Sequence, residues 1–437
     1  MSLLVVIAAI LLLVFLVTYC RLNTFMAFLI VSLLMGLALG MKITAITQSI
    51  QTGIGKTLGS LIIVIVFGAM LGKLVAESGA AQRIATGLMQ VFGQKYIQWS
   101  LMLTGFIVGI PLFYNIGFVL MVPLIFTVAA RTGLPAVYLG IPMLASLSVT
   151  HGYLPPHPSP TALVHEFGAN MGLTLLYGML VAIPAIVMAG PVFSRFLKQY
   201  KTAPAAMFTA EPMPDEQLPG MLASIYAALL PVVLLAVTAL IKVVTVETQP
   251  LYQLADWLGD PVIVMLLAVL NGMYILGLRR GMPMKKVMGV MDDAVRDVAV
   301  IILIIGGSGA LTQMLHDSKV SSYIATVLQG MHTHPLILAW GIAALIRVCV
   351  GSATVAGLTT AGIVAPLIGS TGVNPSLMVL ATGAGSLMFS HVNDAGFWMF
   401  KEYFNLSVKD TIKTWSVMET IVSIVGLGGC LLLSLFV

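Results

Sequence analysis

Between Thr150 and Thr161 the chain places four prolines and two histidines in twelve residues, with apolar runs on both sides. Those flanking runs are long enough to lie within a bilayer, where every backbone N–H and C=O must be paired inside the protein. An interrupted backbone at that depth survives only if protein packs around it or a wet cavity faces it. The stretch therefore excludes a bundle of plain anchors and requires a fold with a polar interior. Composition agrees, because 59% of the 437 residues are hydrophobic and 8% charged, against roughly 25% charged in an average soluble domain. A cytosolic globular enzyme is excluded. The net charge of +5 comes from 21 basic and 16 acidic residues scattered between apolar runs, which argues against a nucleic-acid partner. Cys20, Cys349 and Cys430 have no short spacing and suggest neither a disulfide framework nor a metal site.

Segments 2–20, 22–41, 58–76, 171–193, 221–245, 259–278, 298–316 and 411–436 read as membrane-spanning helices. The first is followed at once by Arg21 and a second apolar run, as in a retained helix and not a cleaved signal. The polar stretch 195–218, with Pro204, Pro212, Pro214, Glu211, Asp215 and Glu216, reads as a solvated linker. It divides the chain into a first membrane repeat (1–194), a cytoplasmic linker (195–220) and a second membrane repeat (221–437). The halves resemble each other at an offset of 240 residues, which pairs Glu77 with Asp317, Ser78 with Ser318 and His151 with His391. Such a repeat suggests a transporter whose site lies where the halves meet. Segments Trp99–Arg131 and Pro335–Gly369 read as hairpins that enter and leave on one side. With the linker inside, most lysines and arginines fall on the cytoplasmic side, leaving Lys42, Lys56, Lys242 and Lys319 outside and Lys73 and Arg347 at membrane depth. The expected fold is an all-α polytopic membrane protein of two inverted-topology repeats, each with a re-entrant hairpin and a broken transmembrane helix, and with both termini outside.

Four breaks mark the candidate site. In Gly109–Gly117, Pro111 cannot continue a helix and Asn115 is a natural N-cap for the returning arm. Gly351-Ser352-Ala353-Thr354 is its counterpart in the second half. Helix N-termini present free N–H groups and partial positive charge, so two converging tips would hold an anion such as a carboxylate. The plainer reading is that these small residues only permit close helix packing. The third break is Thr150–Thr161, and the fourth, Ser390–Gly396, carries Asp394. Arg347 would clamp a carboxylate, pair with Asp394, or reach out to the interface. An imidazole–carboxylate metal cluster of His151, His157, His391 and Asp394 is disfavoured, since the spacing follows the repeat and not a ligand motif. His165 and Glu166 would face the cavity or the aqueous edge, and Glu77 and Asp317 would cap helix ends.

The segments Thr150–Thr161, Gly351–Ala356 and Ser390–Asp394 resemble the gluconate:proton symporter family of bacteria. The likeness extends through Gly68–Lys73, Gly259-Asp260-Pro261 and Phe397–Leu406 over nearly the whole chain. It implies inverted repeats with re-entrant hairpins, often working as dimeric elevators, in a bacterial inner membrane. It also implies uptake of gluconate or a related sugar acid with protons as coupling ion and no other cofactor. D-serine, fructuronate or glycerate are alternative substrates. On this reading Asn115, Ser352 and Thr354 bind the carboxylate, with Arg347 as a clamp, while His151, His157 and Asn393 bind hydroxyls. Asp394 carries the proton, exchanged with His391. Several gluconate carriers have a carboxylate where this chain has Asn115, which moves the expected proton role away from the first tip. A small-anion channel fits the paired half-helices less well. ATP-driven transport lacks its phosphate loop, and a membrane enzyme lacks a nucleophile motif.

Overall fold

The computed structural model describes residues 2–200, 213–320, 333–392 and 394–437, except for the side chains at positions 2, 3, 18, 60, 115 and 131. All regular structure among them is helical. The first half holds α1 (Ser2–Thr18), α2 (Thr24–Ala38), α3 (Ile43–Glu77), α4 (Ala80–Phe92), α5 (Ile97–Gly109), α6 (Tyr114–Thr132), α7 (Ala136–Tyr153), α8 (Pro158–Glu166) and α9 (Met171–Val187). The second holds α10 (Met221–Val244), α11 (Pro250–Leu258), α12 (Pro261–Gly272), α13 (Met284–Asp317), α14 (Pro335–Val350), α15 (Ala353–Thr371), α16 (Pro375–Gly385), α17 (Ala395–Tyr403), α18 (Val408–Thr411) and α19 (Val417–Leu433).

Among the described residues, six helical stretches are long and apolar enough to cross a bilayer: Met171–Leu197, Met221–Val244, Pro261–Arg280, Met284–Asp317, Ala353–Thr371 and Val408–Leu433. Helix α3, bent by 45° between Ile43–Gly59 and Leu61–Glu77, makes a seventh. The chain is a multi-pass membrane protein. Its large exposed apolar side chains, such as Leu11, Leu180, Leu222, Val237 and Leu432, suit a lipid-facing surface.

Four expected segments need correction. Segments 2–20 and 22–41 form helices of only 17 and 15 residues, because Asn23 accepts hydrogen bonds from the N–H groups of Phe25 and Met26 and starts α2 afresh. Helix α3 begins at Ile43 and not near 58, and α13 at Met284 and not near 298. The added turn-lengths contain Thr47, Ser49, Gln51 and Lys56, or Lys285, Asp292, Asp293 and Asp297. These polar residues hide a helix from an apolar-length criterion. Part of them meet across an α3–α13 crossing: Ser49 Oγ donates to Asp317 Oδ2 at 2.6 Å, and Lys73 pairs with Asp297 at 2.9 Å. Early residues of α3 thus face late residues of α13, so the two run antiparallel. At the crossing a Cβ on Gly53 would lie 2.3 Å from the Gly309 carbonyl oxygen, the close approach that small residues allow.

The element order of the first half recurs in the second. Two helices joined at a short break (α5–α6, α14–α15) are followed by a buried helix (α7, α16), then by a short helix behind a second break (α8, α17). In each half both hairpin arms pack on the buried helix. Helices α7 and α16 are buried along almost their entire length, so the breaks at their C-terminal ends open into the protein and not into lipid.

Candidate functional site

Helix α5 ends at Gly109, and Ile110 to Phe113 form the first tip. Pro111 lacks the N–H that would continue the helix. The tip rests on bare backbone of α3, since a Cβ on Gly72 would lie 2.2 Å from the Pro111 carbonyl oxygen. The cap position is Phe113, not the expected Asn115, which is the second residue of α6. After Pro111 the chain regains helical geometry before it reaches Asn115, whose side chain lies outside the described residues.

The second tip follows the sequence reading more closely. Gly351 takes a left-handed φ of 79° that closes α14 onto the Arg347 carbonyl. Ser352 is the N-cap of α15, its Oγ accepting from the Val355 N–H at 3.4 Å. Thr354 sits in the first turn of α15 and is partly exposed.

The third break is shorter than expected. Helix α7 runs through His151 to Tyr153, and α8 begins at Pro158, leaving only Leu154 to His157 outside helix. Pro158 and Pro160 occupy the first turn of α8, where N–H groups have no intrahelical partner to lose. His157 is 4% exposed and donates from Nε2 to the Gly109 carbonyl at 2.7 Å, tying this break to the first tip. The His151 ring centroid is 5.4 Å from that of His157 and 6.1 Å from that of Tyr114, and His151 Nδ1 is buried without a partner.

At the fourth break Asp394 caps α17, with Oδ1 accepting from the Gly396 N–H at 3.0 Å. Its Oδ2 accepts from Arg347 Nη2 at 2.5 Å and from the Ser390 hydroxyl. Trp415 Nε1 donates to Ser390 Oγ at 2.7 Å, which fixes that hydroxyl. His391 donates from Nε2 to the Val348 carbonyl at 2.8 Å. Asn393 lies outside the described residues.

Arg347 therefore pairs with Asp394 and does not reach for the interface, being 4% exposed. Its Nε and Nη1 are buried with no partner, as is Tyr114 Oη. The three groups belong together. A Cβ on Gly396 would be 3.6 Å from Tyr114 Cε1 and 3.5 Å from Asp394 Oδ2, and Arg347 and Asp394 both act electrostatically on Tyr114 and His151. Both hairpins and both later breaks thus contribute to one cluster. A buried polar group without a partner costs about 1–3 kcal/mol, so these donors are set for a polar guest that accepts from them.

Glu419 escaped the sequence reading. It is 2% exposed on α19, and Ser148 Oγ donates to its Oε2 at 2.9 Å. The signal was present, as Glu419 is the lone ionisable side chain of the apolar Val417–Leu433 run apart from Cys430, and intramembrane carboxyls are expensive. Tyr114 was overlooked beside Asn115. His165 is exposed, whereas Glu166 accepts a hydrogen bond from Thr57. Glu77 and Asp317 are the last residues of α3 and α13, one short of the expected capping role, since the C-cap positions are Ser78 and Ser318.

A cavity of about 1210 Å³ runs from Met213, Pro214 and Asp215 of the linker, past the Lys73–Asp297 pair, to Phe113 and Ile116. Phe113 closes its inner end. It packs with Ala69, Ala294 and Val298 on one side and meets the His157 ring edge-on at 6.3 Å on the other. Among the described residues no group of three or more His, Cys, Asp or Glu side chains is arranged to hold a metal ion.

Comparison with known proteins adds identity to this geometry. The family described as GntP family permease matches residues 1–436. A high-affinity gluconate transporter of Escherichia coli K12 is 49% identical over the full length of both chains. The Gnt-II system L-idonate transporter of the same organism is 46% identical over 99% of this chain and 98% of its own. A gluconate permease of Bacillus subtilis is 45% identical over the full length of both. The crystal structure of the Alcanivorax borkumensis YdaH transporter superposes with a TM-score of 0.67 at 18% identity, covering 94% of this chain and 97% of that one.

Proposed function

Because the chain belongs to the GntP family of permeases, we propose that it imports gluconate or a closely related sugar acid across the bacterial inner membrane, together with protons. The observation that carries this reading is the pair of unpartnered buried donors on Arg347, beside the unpartnered Tyr114 Oη and His151 Nδ1. A guanidinium fork matches a carboxylate in two parallel hydrogen bonds. The substrate carboxylate bonds to Arg347 Nε and Nη1, and Tyr114 and His151 take hydroxyls of the polyol chain. Of the groups expected at the carboxylate, this gives the principal role to the Arg347 clamp and not to the helix tips. Ser352, Thr354, Asn115, His157 and Asn393 remain flanking candidates for the rest of the ligand.

Proton coupling follows from competition. An incoming carboxylate draws the guanidinium away from Asp394 Oδ2, and a buried carboxylate without its cation is costly enough to take up a proton. Loading the sugar acid thereby loads one proton, and release reverses both. His391, bonded to the Val348 carbonyl, would relay that proton only after leaving this bond.

The antiparallel α3–α13 pair and the recurrence of α5–α9 in α14–α19 support two inverted repeats with re-entrant hairpins. An elevator in which the hairpins slide along that pair accords with the backbone contact at Gly72. The Phe113 closure between cavity and cluster favours alternating access over a channel. The test is counterflow in proteoliposomes, where internal gluconate should accelerate entry of labelled gluconate, with L-idonate as competitor. Entry that neither saturates nor responds to internal substrate would overturn the reading.

A further inference from the structure

Glu419 has no role in that scheme, yet it is a carboxyl buried to 2% exposure within a membrane-spanning helix. Among the described residues its one hydrogen-bond donor is the Ser148 hydroxyl at 2.9 Å, and no ion pair among them includes it. The nearest cation is Arg347, already bonded to Asp394. Two carboxyls, the buried Glu419 and the half-buried Asp394, therefore face one guanidinium. If both were ionised, one buried negative charge would be uncompensated, and a third anion, the substrate, would be asked to join them. We propose that Glu419 is a positioning residue whose proton keeps Arg347 available, so that protonated Glu419 permits sugar-acid binding and ionised Glu419 opposes it.

The surroundings define the electrostatics. Arg347 from α14, Asp394 from the break before α17, Tyr114 from α6 and Tyr153 from α7 are the charged or titratable groups that interact with it. Helix α7 also carries Tyr138 and His151 and α14 the exposed Cys349; α16 and the Met188–Val192 turn carry none, α9 carries only Tyr177, Lys413 of the preceding turn is exposed, and Cys430 is buried further along α19. The sign follows from linkage. Below the pH at which Glu419 ionises, binding is at full strength; above it, one extra proton must be taken up to bind, and the apparent KM rises about tenfold per pH unit. The proton taken up at Asp394 contributes its own dependence, so the contribution of Glu419 is the difference between two profiles.

This inference rests on the sugar-acid reading above. The experiment measures gluconate exchange KM against pH in proteoliposomes for the wild type, Glu419→Gln and Ser148→Ala. Glutamine keeps the shape and removes the proton, so E419Q should keep a low KM and show a rise with pH shallower by about one decade per unit. Alanine at 148 removes the hydroxyl that favours the ionised form, so S148A should move the alkaline break to higher pH even if E419Q does not fold. Profiles of E419Q or S148A that superimpose on the wild type overturn the proposal. Absence of exchange by the wild type at every pH would instead overturn the transport reading itself.

Discussion

Replacing Arg347 with Lys separates charge from geometry at the proposed carboxylate clamp. Arg347 bonds through Nη2 to Asp394 at 2.5 Å and leaves Nε and Nη1 buried and unpartnered. A lysine keeps the positive charge and the Asp394 pair, so the penalty for stranding a buried carboxylate is avoided. It lacks the planar fork. A carboxylate that loses one of two charged hydrogen bonds forfeits about 1.5–3 kcal/mol, or a roughly 10- to 150-fold rise in Kd at about 1.4 kcal/mol per decade. The assay is saturable exchange of labelled gluconate in proteoliposomes, run beside thermal unfolding of the detergent-purified protein. The expected result is a KM raised by that factor with a nearly unchanged unfolding temperature. A KM within twofold of the wild type in a stably folded variant would refute the assignment of the carboxylate to Arg347.

Asp394→Asn should lower the accumulation ratio driven by an acid exterior far more than it lowers exchange, and an unaltered ratio would remove Asp394 from the coupling scheme. Gly72→Ala forces a Cβ to within 2.2 Å of the Pro111 carbonyl. It should cost about 1–3 kcal/mol and depress transport, whereas Gly59→Ala, with nothing within 4 Å of its Cβ, should melt like the wild type. Ser352→Ala removes the cap of α15 and should cost about 1 kcal/mol, read as a modest fall in unfolding temperature; no fall would mean the tip is held by other contacts.

Much of where the helices break was legible because breaks in apolar helices have few causes. Pro111, Gly351, the Pro155–Pro160 cluster and Asp394 each mark a real interruption, for their backbones cannot be satisfied as continuous helix. Extent was harder to read. Prolines at 158 and 160 look like helix breakers, yet in the first turn of α8 they are favourable, and only the register of that helix reveals it. The polar first half of α3 fell outside the expected span 58–76 because its partner, α13, lies about 240 residues further on. Glu419 was visible as an isolated carboxyl, but its importance depends on Ser148 and Arg347, and sequence does not report which helices pack together.

The most direct test of the account is a structure determined with gluconate bound. The account predicts the gluconate carboxylate within hydrogen-bond distance of Arg347 Nε and Nη1, with Tyr114 and His151 at the hydroxyls and the Arg347–Asp394 contact lengthened. A carboxylate resting on Lys73 in the cavity, with the Arg347–Asp394 pair intact and the cluster still closed behind Phe113, would contradict it.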